Sequence, residues 1–153
     1  MHGLDSDKQI FFYEQEFYVF SNYSSFAIDW KGKMYPTSEH VYHSEKFDDE
    51  LLKEQLRASR SAHDCQKLAQ ANEDKCRKDW KEVRVKIMKE ILFAKVAQHP
   101  YVLKKMLESG DKELVENSWR DSFWGWGENK DGENQLGKLW MEVREETRKS
   151  IKK

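Results

Sequence analysis

A carboxylate, an imidazole and an amine follow one another at helical spacing early in the chain. Glu39, His43 and Lys46 come directly after residues 36–38, Pro-Thr-Ser, a combination typical of a helix N-terminus. At separations of four and seven residues, the three side chains would project from one face of that helix. A buried lysine can lose its proton and attack a carbonyl carbon or the C1 atom of a sugar. This segment is therefore the first candidate site.

Each of these residues also has an ordinary structural explanation. A lone glutamate in the first helical turn, such as Glu39, is favoured there by the backbone N–H groups alone. A lone lysine such as Lys46 is usually a surface residue. His40 and His43 form an HxxH pair, but zinc would need a third ligand and usually another spacing, so we expect no metal and no cofactor. The shared helix face is what favours chemistry.

A second group of candidates lies in a loop of eighteen residues, 117–134, with three Trp and three Gly. A loop of that length in a compact domain is usually functional or disordered, and its Trp content argues against disorder. Asp121 precedes Trp124 and Gly125, so a carboxylate would lie near a ring that can stack on a planar base. The alternative is that the Trp side chains of this loop fill the core.

Two carboxylates and stacking aromatic rings would suit cleavage of an N-glycosidic bond. The transition state resembles an oxocarbenium ion, so a nearby carboxylate such as Glu39 or Asp121 stabilises positive charge, and a protonated group helps the base to leave. Asn134 and Gly137 border the last predicted helix, whose N-terminal N–H groups could hold a phosphate. Composition and spacing alone do not select this reaction over other pocket chemistries.

The elements that must position these residues are mainly helical. Short strands are predicted at residues 10–13, 18–20, 26–30, 33–35 and 113–116, with a hairpin turn at Gly32. From Thr37 onward the apolar pattern has a helical period, and the last helix is predicted from Gln135 to about Ser150. We therefore expect a mainly α (α+β) fold: a flexible N-terminus at residues 1–9, then a single compact helical domain over residues 10–150 with short N-terminal strands.

Composition limits the classes of function. Charged residues make up 36 % of the 153 residues, yet the net charge is −1, which disfavours a broad basic face for long nucleic acid and leaves a local patch possible. Cys65 and Cys76 lack the spacing of a zinc or redox motif. Without an apolar leader or a run of membrane-spanning length, we expect a cytoplasmic protein with no membrane partner.

The sequence resembles the NADAR superfamily of YbiA-like proteins in six separated motifs that occur in the family's order. These are FSNY (20–23), TSEH (37–40), KF (46–47), Trp80 with its helix, DSFWG (121–125) and NQLGKLWME (134–142). The resemblance covers roughly residues 10–148. It implies a compact, mainly helical domain that acts as an N-glycoside hydrolase.

The resemblance implies two classes of substrate. One is the ribosylamino-pyrimidine phosphates of riboflavin synthesis, and the other is ADP-ribose attached to guanine in nucleotides or in modified DNA or RNA. The second class would pair the protein with an ADP-ribosyltransferase toxin. The near-neutral charge favours small phosphorylated nucleosides slightly. The alternatives are a non-catalytic module that binds ADP-ribose or a nucleotide, and a helical interaction protein.

The resemblance also implies roles for individual residues. Glu39 would be the acid/base or charge-stabilising carboxylate, Lys46 would attack C1 of the ribose to give a ring-opened Schiff base, and Asp121 would position or activate the nucleophile. Many relatives have Gln at the position of His43, which could replace the amide as a donor or make binding pH-sensitive. The expected substrate contacts are Phe20, Ser21, Asn22, His43, Trp80, Trp119, Trp124, Gly125, Asn134 and Gly137.

Overall fold

Helices dominate the structure, a computed structural model that describes residues 6–12, 15–118 and 120–152. The prediction of a mainly α fold with short strands is confirmed. The described residues form β1 (Gln9–Phe12), a 3₁₀-helix (Gln15–Phe20), β2 (Ile28–Trp30), β3 (Lys33–Tyr35), α1 (Ser38–Ser44), α2 (Glu50–Arg57), α3 (Ala62–Ala71), a second 3₁₀-helix (Glu73–Lys75), α4 (Trp80–Gln98), α5 (Pro100–Glu108), β4 (Glu113–Glu116) and α6 (Gln135–Lys152).

These elements belong to two compact units. The terminal unit comprises Met1–Ser21 and His99–Lys153, and the central unit comprises Asn22–Gln98. The prediction of one domain over residues 10–150 stays a prediction. The predicted flexible segment 1–9 lies partly outside the described residues, and its last residue, Gln9, begins β1.

A β-hairpin opens the central unit, as the sequence predicted. β2 pairs antiparallel with β3, so that Ile28 faces Tyr35 and Trp30 faces Lys33. The two turn residues, Lys31 and Gly32, have φ angles of 53° and 85°. Positive φ at both positions matches the twist of the flanking strands, and glycine adopts it without steric cost.

Side-chain caps fix where the helices of the central unit begin. Thr37 Oγ1 accepts the His40 N–H at the start of α1, and Ser61 Oγ accepts the Asp64 N–H at the start of α3. α1 packs against α2, α3 and α4. A buried apolar cluster joins α2 and α3 to the end of the α1 segment, and it contains Phe47, Leu52, Leu56, Cys65 and Ala69.

In the terminal unit, β1 and β4 form a parallel pair in which Ile10 faces Leu114. α6 packs against β4, and its residue Trp140 is fully buried. The strand predicted at residues 18–20 is wrong, because this segment is the end of the first 3₁₀-helix. Its aromatic residues do not pair with a strand; instead the Phe20 carbonyl accepts a hydrogen bond from Trp140 Nε1 at 2.9 Å.

None of the helices in the described residues is both long enough and apolar enough to cross a membrane.

Candidate active site

Glu39 and His43 lie in direct contact on α1. Glu39 Oε1 is 2.8 Å from His43 Nε2, and the two side chains are only 13 % and 4 % exposed. The ring nitrogens of His43 are both buried, and neither makes a well-aligned hydrogen bond to a described residue. The two side chains therefore restrain each other through close contact and without an aligned hydrogen bond.

Lys46 lies just beyond α1, so the prediction that it belongs to the same helix is wrong. α1 ends at Ser44, and the chain then tightens, with the Lys46 N–H donating to the His43 carbonyl at 3.2 Å. Such three-residue bonds are common where the last turn of a helix narrows. The Lys46 carbonyl accepts the Arg77 N–H at 2.8 Å, so the backbone at Lys46 is held on both sides.

The Lys46 amine is in an unusual environment for a lysine. Its Nζ lies 5.1 Å from the centre of the Tyr42 ring, and it has no ion pair or hydrogen bond to any described side chain. Burial lowers the pKa of Lys46 below the usual lysine range, and the negative charge of Glu39 opposes part of that shift. Lys46 therefore keeps a neutral, nucleophilic amine at a lower pH than a surface lysine does.

Tyr42 and Trp80 form an aromatic support beside this amine. Both are buried, and their ring centres lie 5.1 Å apart. Tyr42 also contacts the His43 ring edge-on, at 5.3 Å between ring centres. The sequence analysis missed Tyr42, although its position four residues before Lys46 is the spacing at which side chains meet along a helix.

Asn22 adds an amide to this cluster. Its carbonyl oxygen accepts the Glu39 N–H at 3.0 Å, and its Nδ2 lies 3.4 Å from Met88 Sδ. The side-chain Oδ1 is buried and has no hydrogen-bond partner among the described residues. A buried carbonyl oxygen without a donor is costly, so Asn22 is suited to receive a hydroxyl or N–H group from a ligand.

His40 is occupied by structural hydrogen bonds. Its Nδ1 is 2.8 Å from Thr37 Oγ1, and its Nε2 is 3.0 Å from the Ser59 carbonyl oxygen. Because a carbonyl can only accept, Nε2 carries the proton and Nδ1 accepts from the Thr37 hydroxyl. In the described part of the chain, no group of three His, Cys, Asp or Glu residues is arranged to hold a metal ion.

The second group of predicted residues lies within the terminal unit. Asp121 Oδ1 accepts the backbone N–H groups of Phe123 and Trp124 at 2.9 and 2.8 Å. The loop is also tied to the start of α6, where the N–H groups of Gln135 and Leu136 donate to loop carbonyls. These N–H groups, which the sequence suggested for a phosphate, bond the loop instead.

Asn134 and Gly137 join the start of α6 to β4. Asn134 Oδ1 accepts the Glu116 N–H, and its Nδ2 donates to the Leu114 carbonyl, each at 2.9 Å. A Cβ atom on Gly137 would lie 2.0 Å from the Leu114 carbonyl oxygen, so only glycine permits this approach. The described contacts of these two residues are structural, and a role in binding substrate stays a prediction.

The predicted substrate-contact residues are divided between the central unit and the terminal unit. The structure brings Asn22, Glu39, His43, Lys46 and Trp80 together in the central unit. Within the terminal unit, Phe20 packs on Phe12 and Trp140, Ser21 is buried, and a Cβ atom on Gly125 would lie 2.9 Å from the Asp121 carbonyl oxygen. Trp119 lies outside the described residues.

Known proteins are similar in sequence to this chain over most of its length. The NADAR domain matches residues 11–148. The chain is 35% identical to the N-glycosidase YbiA of Escherichia coli strain K12 over 127 residues, which is 83% of this chain and 79% of that protein. An N-glycosidase of Nostoc punctiforme is 38% identical over 144 residues, covering 91% of this chain and 92% of the relative.

Two further comparisons extend these findings. A riboflavin biosynthesis protein of Vibrio vulnificus is 35% identical over 142 residues, but the chain spans only 39% of its length. The NMR structure of the E. coli protein YbiA has a TM-score of 0.87 at 33% identity, covering 97% of this chain and 89% of that chain.

The fold and the sequence therefore place the chain in the NADAR family. At the level of reaction class, the relatives that it matches over most of their length make it an N-glycosidase.

Proposed function

We propose that the protein hydrolyses the bond between ribose C1 and a base nitrogen in a phosphorylated nucleoside or in ADP-ribosyl-guanine, through a Schiff base on Lys46. The observation that carries this mechanism is the Lys46 amine, which is largely buried beside Tyr42 with a lowered pKa. A lysine in that state is a nucleophile, whereas a lysine that only binds phosphate needs its charge. Glu39 supplies a carboxylate within the same cluster.

The reaction can be written with these two side chains. The neutral Lys46 amine attacks C1 as the bond from C1 to the base breaks, and the Glu39 carboxylate carries a proton from the lysine nitrogen to the departing base. The C1=N bond of the Schiff base then forms as the bond from C1 to the ring oxygen breaks, and Glu39 carries the second nitrogen proton to that oxygen. Water adds across C1=N with Glu39 carrying its proton to nitrogen; Glu39 then moves the proton of the new hydroxyl to nitrogen, so that C1 becomes an aldehyde and Lys46 leaves as a neutral amine.

His43 restrains Glu39 in this mechanism. Its Nε2 lies 2.8 Å from Glu39 Oε1 at a buried position, so the carboxylate has little freedom to turn away. Trp80 supports the Tyr42 ring on which the lysine amine rests. Asn22 offers its unsatisfied Oδ1 to a sugar hydroxyl. The proposed roles of Asp121 and Trp124 rest on the family resemblance.

Small phosphorylated nucleosides are the favoured substrates. The net charge of −1 provides no general attraction for a long polyanion, whose binding depends on many Lys and Arg contacts. A matched relative is also named for riboflavin biosynthesis. We therefore rank a ribosylamino-pyrimidine phosphate as the first candidate substrate and ADP-ribosyl-guanine as the second. Only the second substrate would imply pairing with an ADP-ribosyltransferase toxin.

Borohydride trapping tests both the mechanism and the substrate. Wild-type protein is incubated separately with a ribosylamino-uracil phosphate and an ADP-ribosyl-guanine oligonucleotide, while base release is followed and the Schiff base is reduced to a stable amine. We expect covalent adducts on Lys46 by peptide mass spectrometry, none with Lys46→Ala, and a base release slowed roughly 100-fold or more in Glu39→Gln. Lys86→Ala, at an exposed position on α4, is the matched lysine control.

Each outcome has a definite meaning. Normal cleavage by Lys46→Ala would contradict the Schiff base, even if the N-glycosidase activity itself remained. Faster release from the oligonucleotide would reverse the order of the two substrates. Tight ADP-ribose binding without any base release from wild-type protein would support the non-catalytic binding module instead.

A further inference from the structure

One fully buried lysine takes no part in the mechanism above. Lys95, on α4, is 0% exposed, and lysines are almost never buried without partners because removing an ammonium group from water is costly. Its Nζ donates a hydrogen bond to Ser24 Oγ at 2.9 Å and lies 5.4 Å from the centre of the Phe26 ring. Both contacts belong to residues 22–27, which we call the Asn22 segment.

Two other residues of α4, one before and one after Lys95, also contact residues 22–29. Met88, seven residues earlier and on the same helix face, meets the Asn22 side chain at 3.4 Å. The Gln98 side chain bonds both the N–H and the carbonyl of Asp29, at 2.8 and 2.9 Å. The Lys95–Ser24 bond thus lies between two other contacts that join α4 to this part of the chain.

The Lys95–Ser24 bond lies close in sequence to the candidate site. Asn22 is two residues from Ser24, and its carbonyl accepts the N–H of Glu39. The contact from Asn22 Nδ2 to Met88 uses a thioether sulfur, which is a weak acceptor. That contact alone would hold the amide loosely, so the direction of Asn22 Oδ1 depends on the backbone that Ser24 anchors.

We propose that Lys95 is a positioning residue of the active site. By holding Ser24 Oγ, it fixes the Asn22 segment so that Asn22 Oδ1 accepts a hydrogen bond from a hydroxyl group of the substrate's ribose. Lys95 acts through Asn22, because its own amine is completely buried. The inference rests on the proposed function, since it takes a ribosyl compound as the ligand.

Two variants remove the same hydrogen bond from opposite ends. Ser24→Ala deletes the acceptor with a minimal change of volume, and Lys95→Met deletes the charge while keeping the apolar stem. We expect each to lower kcat/KM for base release roughly tenfold, mainly through a higher KM, since a hydrogen bond involving a charged group is lost. The controls Ser25→Ala and Lys86→Met, both at exposed positions, should stay within about twofold of wild type.

A double-mutant cycle separates positioning from general stabilisation. In an Asn22→Ala background, Ser24→Ala and Lys95→Met should each cost less than about twofold, because the group through which they act is absent. Equal losses in both backgrounds would overturn the proposal, as would unchanged kcat/KM in Ser24→Ala. If Lys95→Met fails to fold, as judged by circular dichroism and Tm, Ser24→Ala and its cycle with Asn22→Ala decide the question.

The inference and the proposed function can fail separately. If wild-type protein releases no base, the proposed function fails, and the same variants are titrated with ADP-ribose and ribose 5-phosphate by calorimetry. A roughly tenfold weaker Kd in Ser24→Ala that disappears in the Asn22→Ala background would still support positioning. Equal affinities in Ser24→Ala and wild type, or no binding by wild type, would overturn it.

Discussion

Lys46 combines two properties that oppose each other in a folded protein. Its partly buried amine is useful as a nucleophile, yet a buried ammonium group destabilises the folded state. The restraining contacts are the Tyr42 ring below the amine and the nearby charge of Glu39. Neither forms a hydrogen bond to Nζ, so the amine stays available for chemistry at the expense of stability.

Replacing this lysine should therefore stabilise the protein while removing its activity. Because burial holds the folded-state pKa of Lys46 below its unfolded value, the charged amine destabilises the folded protein near pH 7. We expect Lys46→Met to raise the free energy of unfolding by about 1 kcal/mol there. The gain should shrink as pH rises through the lowered pKa, where the wild-type amine loses its charge.

Urea unfolding at several pH values measures this effect. Lys86→Met makes the same change at an exposed position of α4 and should stay within about 0.5 kcal/mol of wild type. A Lys46→Met protein that is less stable than wild type at pH 7 would show that attraction to Glu39 outweighs burial.

Among the elements, the join between β4 and α6 shows how the described part of the loop at residues 117–134 is held by hydrogen bonds without regular structure. Its carbonyls accept N–H groups from the start of α6, and Asn134 bonds the backbone of β4 in both directions. Gly137 lets the helix approach the strand. The loop is thereby tied to α6 near its middle and to β4 at its last residue, while Asp121 bonds backbone N–H groups within it.

Gly137→Ala tests this close approach. A Cβ atom there would lie 2.0 Å from the Leu114 carbonyl oxygen, so α6 would have to move away from β4. We expect a loss of about 3 kcal/mol or more in urea unfolding. Gly110→Ala is the matched control, because Gly110 has a φ of 60° and no neighbouring atom within 4 Å of an added Cβ atom. Alanine there adds only backbone strain, so the free energy of unfolding should fall by roughly 1 kcal/mol. Equal losses would argue against the contact.

At the scale of the whole molecule, stability should depend on pH through His40. This buried imidazole links the start of α1 to Ser59, and burial lowers its pKa below the ordinary value of 6.5. Its folded state therefore prefers the neutral ring. The stability from His40 is complete above the unfolded pKa and declines as pH falls below about 6.5, because the unfolded chain then binds a proton that the folded state resists.

Thermal unfolding between pH 5 and 8 provides the measurement. His40→Gln should lower Tm at pH 7.5, because the bonds to Thr37 and Ser59 are weakened, and should lose less than wild type on acidification. His63→Gln, at an exposed position on α3, serves as the control and should retain the wild-type pH dependence. Parallel Tm curves for wild type and His40→Gln would contradict this assignment.

Local sequence signals were sufficient for much of the fold. The hairpin at Gly32 and the helix N-terminus at residues 36–38 each depend on residues within one turn of one another, and both are present in the structure. Glu39 and His43 also meet as their spacing predicts. The order of the separated motifs, more than any single residue, pointed to the NADAR family.

Long-range contacts decided the rest. The pattern of residues 18–20 predicts a strand, but the segment forms the end of a 3₁₀-helix, and the Phe20 carbonyl accepts a hydrogen bond from Trp140 Nε1. The burial that lowers the pKa of Lys46 comes from tertiary packing, which no local pattern specifies. Lys95 occurs in an apolar stripe of α4, and its tertiary contacts, among them the bond to Ser24, 71 residues away in sequence, show why a charged residue is tolerated there.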